Sequence, residues 1–199
     1  VFDVFNNISN TDTNDAIMEM ETEFYPQLTR VRDSIRLDDA IFQRVKTVYE
    51  QRDTLELDEQ EARLLELQHR DFVRSGADLD ENAKTRMKEI NARMSELTTA
   101  FGQNLLAETK GFELVVTDEA DLSGLSESLK GSAKSAAVAK GQPDAWIFGL
   151  NRSVYEAFMT FADNRYLRRQ LFDGYRNRAA NGGETDNGDL ITEIAKLRA

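Results

Sequence analysis

The sequence has 199 residues, a net charge of −11 and no cysteine, so disulfide bonds and zinc sites built from thiolates are excluded. A strongly acidic surface repels phosphate groups, and we therefore expect neither nucleic acid nor an anionic membrane as a partner. No apolar run has the length of a transmembrane helix or of a signal-peptide core. We expect a cytoplasmic protein, with the periplasm as the alternative.

The two ends of the sequence lie inside apolar patterns. The chain begins without methionine, and it stops at Leu197-Arg198-Ala199, within a helical pattern. The first apolar residues are Val1, Phe2, Val4, Phe5 and Ile8. We therefore expect residues 1–199 to be one helical unit, a fragment of a longer protein that is truncated through helices at both ends.

The first predicted helices are separated by a polar stretch. Residues 1–9 are predicted as the end of one helix, and residues 10–15, rich in capping residues, start the next. Pro26 falls inside this second helix, which predicts either a kink or two abutting helices. Helical spacing also predicts a core role for four methionines rather than metal ligation: Met18, Met20, Met87 and Met94.

Two further helices are predicted before residue 77. Asp38-Asp39 caps the first, Asp58 caps the second, and Gly76 ends it. The predicted inner faces are Ile41, Phe42, Val45, Val48 and Tyr49 in the first helix and Ala62, Leu65, His69, Phe72 and Val73 in the second.

The longest predicted helix occupies about thirty residues from Asp80 and is roughly 45 Å long. Its apolar residues recur every three or four positions, which places them on one face. They are Ala83, Met87, Ile90, Met94, Leu97, Phe101 and Leu105. Gly111 then breaks the helix, and residues 112–117 are predicted as a short strand.

The rest of the chain is predicted to add one strand and several shorter helices. Residues 145–150 are the second strand, and we expect them to pair with residues 112–117, since a lone strand leaves backbone groups unpaired. Small residues in the helix 129–140 predict close packing or weak stability. The predicted helix caps are Ser126, Ser153, Asn164 and either Asp186 or Asn187. The predicted fold class is therefore mainly α, with one long central helix and a two-stranded β-ribbon.

The sequence has too few histidines for a zinc peptidase site. Such a site needs two histidines one helical turn apart, with a glutamate between them as general base. His69 is the one histidine in the sequence, and it shares a helix face with Leu65 and Phe72. We interpret it as a residue at the edge of the core, and we predict no catalytic, cofactor-binding or metal-binding residue in this chain.

The positions of the carboxylates indicate helix capping or solvent-exposed helix faces rather than a catalytic site. Most lie beside Lys or Arg on predicted outer helix faces. The segment 186–189 resembles the start of a calcium loop, but the sixth and twelfth positions are Ile191 and Leu197 where glycine and glutamate are needed. Helix capping by Asp186 or Asn187 is the better interpretation.

Several stretches in order resemble the N-terminal helical portion of the thimet oligopeptidase family of zinc metallopeptidases. The family includes neurolysin, oligopeptidase A and bacterial peptidyl-dipeptidase, also named dipeptidyl carboxypeptidase. The sequence FGQN followed by FELVVTD is most similar to the peptidyl-dipeptidase branch. The matching stretches are 5–9 with 11–14, 65–77, 90–118, 122–125, 155–169 and 181–199.

The resemblance implies a neurolysin-like, two-lobed helical enzyme whose zinc lies at the floor of a channel that admits short peptides. The zinc-binding segment of the family follows these stretches, so the parent protein is expected to carry zinc and this fragment none. The fragment is expected to form channel wall and to be inactive alone.

A self-contained helical interaction module is the alternative function. Under the fragment hypothesis, we expect the cut helices to expose apolar residues and to cause self-association, unless they pack on each other. These residues are Phe2, Phe5, Ile8, Leu190, Ile191, Ile194 and Leu197.

Overall fold

In a computed structural model, which describes residues 2–199, the chain is mainly α-helical, as predicted. The helices are α1 (Phe2–Thr11), α2 (Asp15–Arg36), α3 (Asp39–Glu50), α4 (Glu59–Arg74), α5 (Glu81–Gly111), α6 (Glu127–Ala139), α7 (Arg152–Phe161), α8 (Arg165–Arg176) and α9 (Gly188–Arg198). The strands are β1 (Leu114–Val116) and β2 (Trp146–Phe148), and short 3-10 turns lie at Arg52–Thr54 and Glu119–Leu122.

Val1, the first residue of the predicted N-terminal apolar pattern, lies outside the described residues. No helix within residues 2–199 combines the length and the apolar character needed to cross a membrane.

The chain forms two compact units. The first contains the residues up to Ala100 together with Lys196–Ala199, and the second contains Phe101–Ala195. The division falls within α5. That residues 1–199 are one unit of a longer peptidase stays a prediction.

The first unit has a small core between α3 and α4. Phe42 and Phe72 are buried there with Ala77, and Val45 packs at the edge. The predicted inner faces are wrong at four positions, of which Ile41, Val48 and Val73 are 37%, 44% and 41% exposed. The apolar stripes of α3 and α4 are wider than the seam through which these two helices pack. Ala62 is exposed for the same reason.

Helix α2 continues through Pro26 as one helix. It packs against α1 through aromatic rings: Phe24 lies 4.6 Å from Phe5 and 6.3 Å from Phe2 between ring centroids. Phe2 and Phe5 are therefore half-buried within the first unit. The predicted core role of Met20 is wrong, because this residue lies on the solvent-facing side of α2 and is 56% exposed.

Helix α5 has the apolar stripe that its spacing predicts. Every residue of that stripe is buried or half-buried, and Leu97 is 2% exposed. The helix spans 31 residues, a length of about 46 Å at 1.5 Å per residue.

The second unit is built on the predicted β-ribbon. Strands β1 and β2 pair antiparallel, with Leu114 opposite Phe148 and Val116 opposite Trp146. Ala133 and Ala137 of α6 are buried, which confirms the close packing predicted from its small residues. Helices α7 and α8 complete the core. Its buried residues are Leu114, Val116, Leu122, Leu125, Ala133, Phe148, Leu150, Phe158, Ala162, Leu167 and Leu171.

Most predicted helix caps are confirmed by hydrogen bonds from side chain to backbone. Asp58 forms a reciprocal capping box with Glu61. The prediction for Ser153 is wrong: the N–H of Tyr155 donates to the carbonyl of Asn151 at 2.9 Å, so α7 begins at Arg152. The confirmed caps are Asn14, Asp38, Asp58, Ser126 and Asn164.

Candidate functional site

His69 lies on α4 at the edge of the first unit's core, as its position on the helix predicts. Its ring stacks on Tyr49, with centroids 4.0 Å apart and planes 5° from parallel, and lies 6.0 Å from Phe42. This aromatic stack explains why histidine is accommodated here. The contacts support packing rather than proton transfer.

The zinc site that the resemblance implies does not fit the residues of this chain. A single histidine cannot supply the two imidazoles of the family motif. Within residues 2–199, no three His, Cys, Asp or Glu side chains are grouped so that they could hold a metal ion. We therefore assign no catalytic step to zinc in this chain, and the predicted lack of site residues stays a prediction.

The main polar network of the second unit anchors the loop between α8 and α9, residues 177–187, on α5. Asn187 is buried, 1% exposed. Its side-chain oxygen accepts from Asn104 at 2.9 Å, and its side-chain nitrogen donates to the carbonyl of Phe101 at 3.2 Å. Its backbone N–H donates to the carbonyl of Ala179 at 2.8 Å. Asn187 thus satisfies polar groups of both the loop and the helix.

Glu108 of α5 is the second anchor of this loop. Its carboxylate accepts from Asn181 at 2.9 Å and from the hydroxyl of Thr185. Arg178 donates to Thr109 at 3.2 Å, and its guanidinium lies 3.8 Å from the ring centroid of Tyr175. The loop is therefore held by hydrogen bonds at both of its ends.

Asp186 shapes the loop from within and also binds the N–H of the first residue of α9, whereas the side chain of Asn187, the other predicted cap, binds α5. The Asp186 carboxylate accepts the backbone N–H groups of Gly182 and Gly188, each at 2.7 Å. These backbone hydrogen bonds lower the pKa of Asp186 below its ordinary value of 3.8. The carboxylate is ionised at neutral pH and is suited to holding the turn, not to donating a proton.

The sequence did not predict that polar residues of α5 bind this loop. Our interpretation assigned most carboxylates to solvated faces, whereas Glu108 binds two loop residues. Asn104 and Glu108 are four residues apart and therefore neighbours on one helix face. This four-residue spacing indicates a shared polar face on α5, but it does not reveal which segment the two side chains bind.

The fold and the site together define a mainly helical protein with a firmly anchored loop. No protein-family profile matches the chain. The chain is 32% identical to dipeptidyl carboxypeptidase of Escherichia coli (strain K12) over 199 residues, which are 100% of this chain and 29% of that relative. It is 33% identical to organellar oligopeptidase A, chloroplastic/mitochondrial, of Arabidopsis thaliana, covering 86% of this chain and 23% of the relative. With oligopeptidase A of Haemophilus influenzae it shares 39% identity, over 65% of this chain and 19% of the relative.

The chain is thus homologous to the dipeptidyl carboxypeptidases and oligopeptidases A of the thimet oligopeptidase family, the family that its sequence resembles. It spans about 29% of the length of the dipeptidyl carboxypeptidases that it matches.

Proposed function

We propose that the chain is a non-catalytic part of a zinc-dependent oligopeptidase or peptidyl-dipeptidase that hydrolyses short peptides. The observation that carries this proposal is the 32% identity to a dipeptidyl carboxypeptidase over all 199 residues. The motif that binds zinc in this family is absent from the sequence, so we assign the zinc and the chemistry to another part of the parent protein. We place the parent in the cytoplasm, with the periplasm as the alternative.

We further propose that this part forms channel wall and restricts access to short, unstructured peptides. Support comes from the length of α5 and from the loop 177–187 anchored on it by Asn187 and Glu108. A wall that excludes folded substrates must keep its shape, and buried, satisfied polar contacts favour one conformation.

Peptidase assays on two samples test this function. The 199-residue chain is expected to bind no stoichiometric zinc and to leave a fluorogenic short peptide uncleaved. The full-length parent is expected to cleave the same peptide, and a chelator should abolish that cleavage. Zinc-dependent cleavage by the chain alone would contradict the proposal.

The coding sequence downstream of Ala199 provides an independent test. An H-E-x-x-H motif within the same reading frame is expected. A stop codon soon after Ala199 would instead support the alternative, a self-contained helical interaction module.

A further inference from the structure

A groove in the first unit brings arginines from two helices together. It has a volume of about 450 Å³ and lies among α2, the end of α4 and α5. We name it the arginine groove. Its polar lining consists of Arg32, Asp33 and Arg36 from α2, Arg74 and Ser75 at the end of α4, and Asn91 from α5.

The guanidinium groups of this groove have no carboxylate partner. Among residues 2–199, no carboxylate oxygen lies within ion-pair distance of Arg32, Arg36 or Arg74. Many other basic residues of this chain do form such pairs, for example Arg63 with Glu66 and Arg169 with Asp173. Three such guanidinium groups line one groove, so positive charge is concentrated there in a chain whose net charge is −11.

Aromatic rings orient two of these guanidinium groups. The central carbon of the Arg36 guanidinium lies 4.9 Å from the ring centroid of Phe72, and that of Arg32 lies 5.2 Å from the centroid of Phe2. A guanidinium over a ring uses its face for this contact and keeps its N–H donors at the edge. The donors therefore remain available for a ligand.

The one carboxylate that lines the groove is already engaged. Asn91 donates to Asp33 at 2.9 Å, and the charge of Lys88 acts on the same carboxylate. Burial nevertheless raises the pKa of Asp33 above its ordinary value of 3.8. With three arginines and Lys88 against Asp33, positive charge is in excess at the groove.

We propose that the arginine groove binds a ligand through an oxyanion group, either a phosphate or a carboxylate. Arginine presents paired N–H donors whose geometry matches both groups. The proposal concerns the first unit alone and does not depend on peptidase activity.

Isothermal titration calorimetry of the 199-residue chain at low ionic strength tests this proposal. The probes are pyrophosphate, a short peptide with a free C-terminal carboxylate, and the same peptide with an amidated C-terminus. We expect pyrophosphate or the free-acid peptide to bind and added salt to weaken the binding. Binding of pyrophosphate alone identifies phosphate as the recognised group, and preference for the free acid over the amide identifies a carboxylate.

Variants then locate the site. Arg36→Gln and Arg74→Gln should each weaken binding about tenfold or more, since each removes charge-assisted hydrogen bonds. Arg44→Gln, an exposed arginine of α3 in the same unit, is the matched control and should bind as the unmodified chain does. Circular dichroism verifies that each variant is folded. Lack of binding by every probe, or equal weakening in all three variants, would overturn the proposal.

Discussion

At the scale of single residues, two helical glycines have opposite surroundings. A Cβ placed on Gly174 of α8 would lie 2.2 Å from Cε2 of Phe112, whose ring packs against the core of the second unit. A Cβ on Gly102 of α5 would meet nothing within 4 Å. Gly174 therefore makes room for a neighbouring ring, whereas Gly102 only lowers the helix propensity of α5.

Substitution of these glycines by alanine should change stability in opposite directions. Gly174→Ala should lower the free energy of unfolding by about 1–3 kcal/mol, because the Phe112 ring must shift. Gly102→Ala should raise the free energy of unfolding by about 0.5–1 kcal/mol through helix propensity. Urea denaturation of both variants measures the two effects. Equal destabilisation by the two substitutions would contradict this interpretation.

At the scale of elements, α5 binds α3 through a buried lysine. Lys84 is 3% exposed, and its ammonium pairs with Asp39 and lies 3.6 Å from Glu81. The hydrogen bond to Asp39 raises the pKa of Lys84 above its ordinary value of 10.5. The hydrogen bond from Lys84 also lowers the pKa of Asp39 below its ordinary value of 3.8.

The two pKa shifts define the pH range in which this ion pair stabilises the fold. The contribution of Asp39 is complete above pH 3.8 and is lost as the pH falls through its lowered native pKa. The contribution of Lys84 is complete below pH 10.5 and is lost as the pH rises through its raised native pKa. The pair therefore stabilises the protein between these two values.

Replacement of Lys84 should change how the stability of the protein depends on pH in the acidic range. Lys84→Met removes the group that lowers the pKa of Asp39, so stability should fall less steeply below pH 3.8 than in the unmodified chain. Lys110→Met, at an exposed position of the same helix, is the control and should keep the original profile. Thermal unfolding monitored by circular dichroism over this pH range gives the comparison. Parallel profiles for all three proteins would show that the pair has no such effect.

At the element scale, the sequence predicts the structure well. An N-cap such as Asp58 or Asn164 bonds backbone N–H groups two or three residues further on, so its signal is local. The stripe of α5 likewise repeats with the helical period. Ser153 is not a cap, because α7 begins at Arg152 and Asn151 occupies the N-cap position.

At the scale of the whole molecule, the terminal helices α1 and α9 keep some of their apolar residues half-buried and expose others. The rings of Phe2 and Phe5 pack on Phe24 of α2 rather than remaining open. Ile8 of α1 and Ile191 of α9 are nevertheless 45% and 54% exposed. Apolar surface of this kind favours association when it forms a patch.

We predict that the chain self-associates through these helices at high concentration. Ile8→Glu and Ile191→Glu should each shift the population towards monomer, because each places a charge in the apolar contact. Thr22→Glu, an exposed position on α2, is the control. Sedimentation velocity over a concentration series measures the association. An unmodified chain that stays monomeric throughout would contradict the prediction.

The sequence by itself determined the helices, the β-ribbon, most caps and the homology to a family of peptidases, because these depend on local hydrogen bonds, on the helical period and on ordered motifs. Only the tertiary structure decided which polar groups are buried or paired. Glu108 meets Asn181 across 73 positions of sequence, and Lys84 meets Asp39 across 45. No periodicity in the chain encodes such distant pairs, because they arise only when separate helices pack. The arginine groove has the same origin: its charges come from helices far apart in sequence, and packing brings them together.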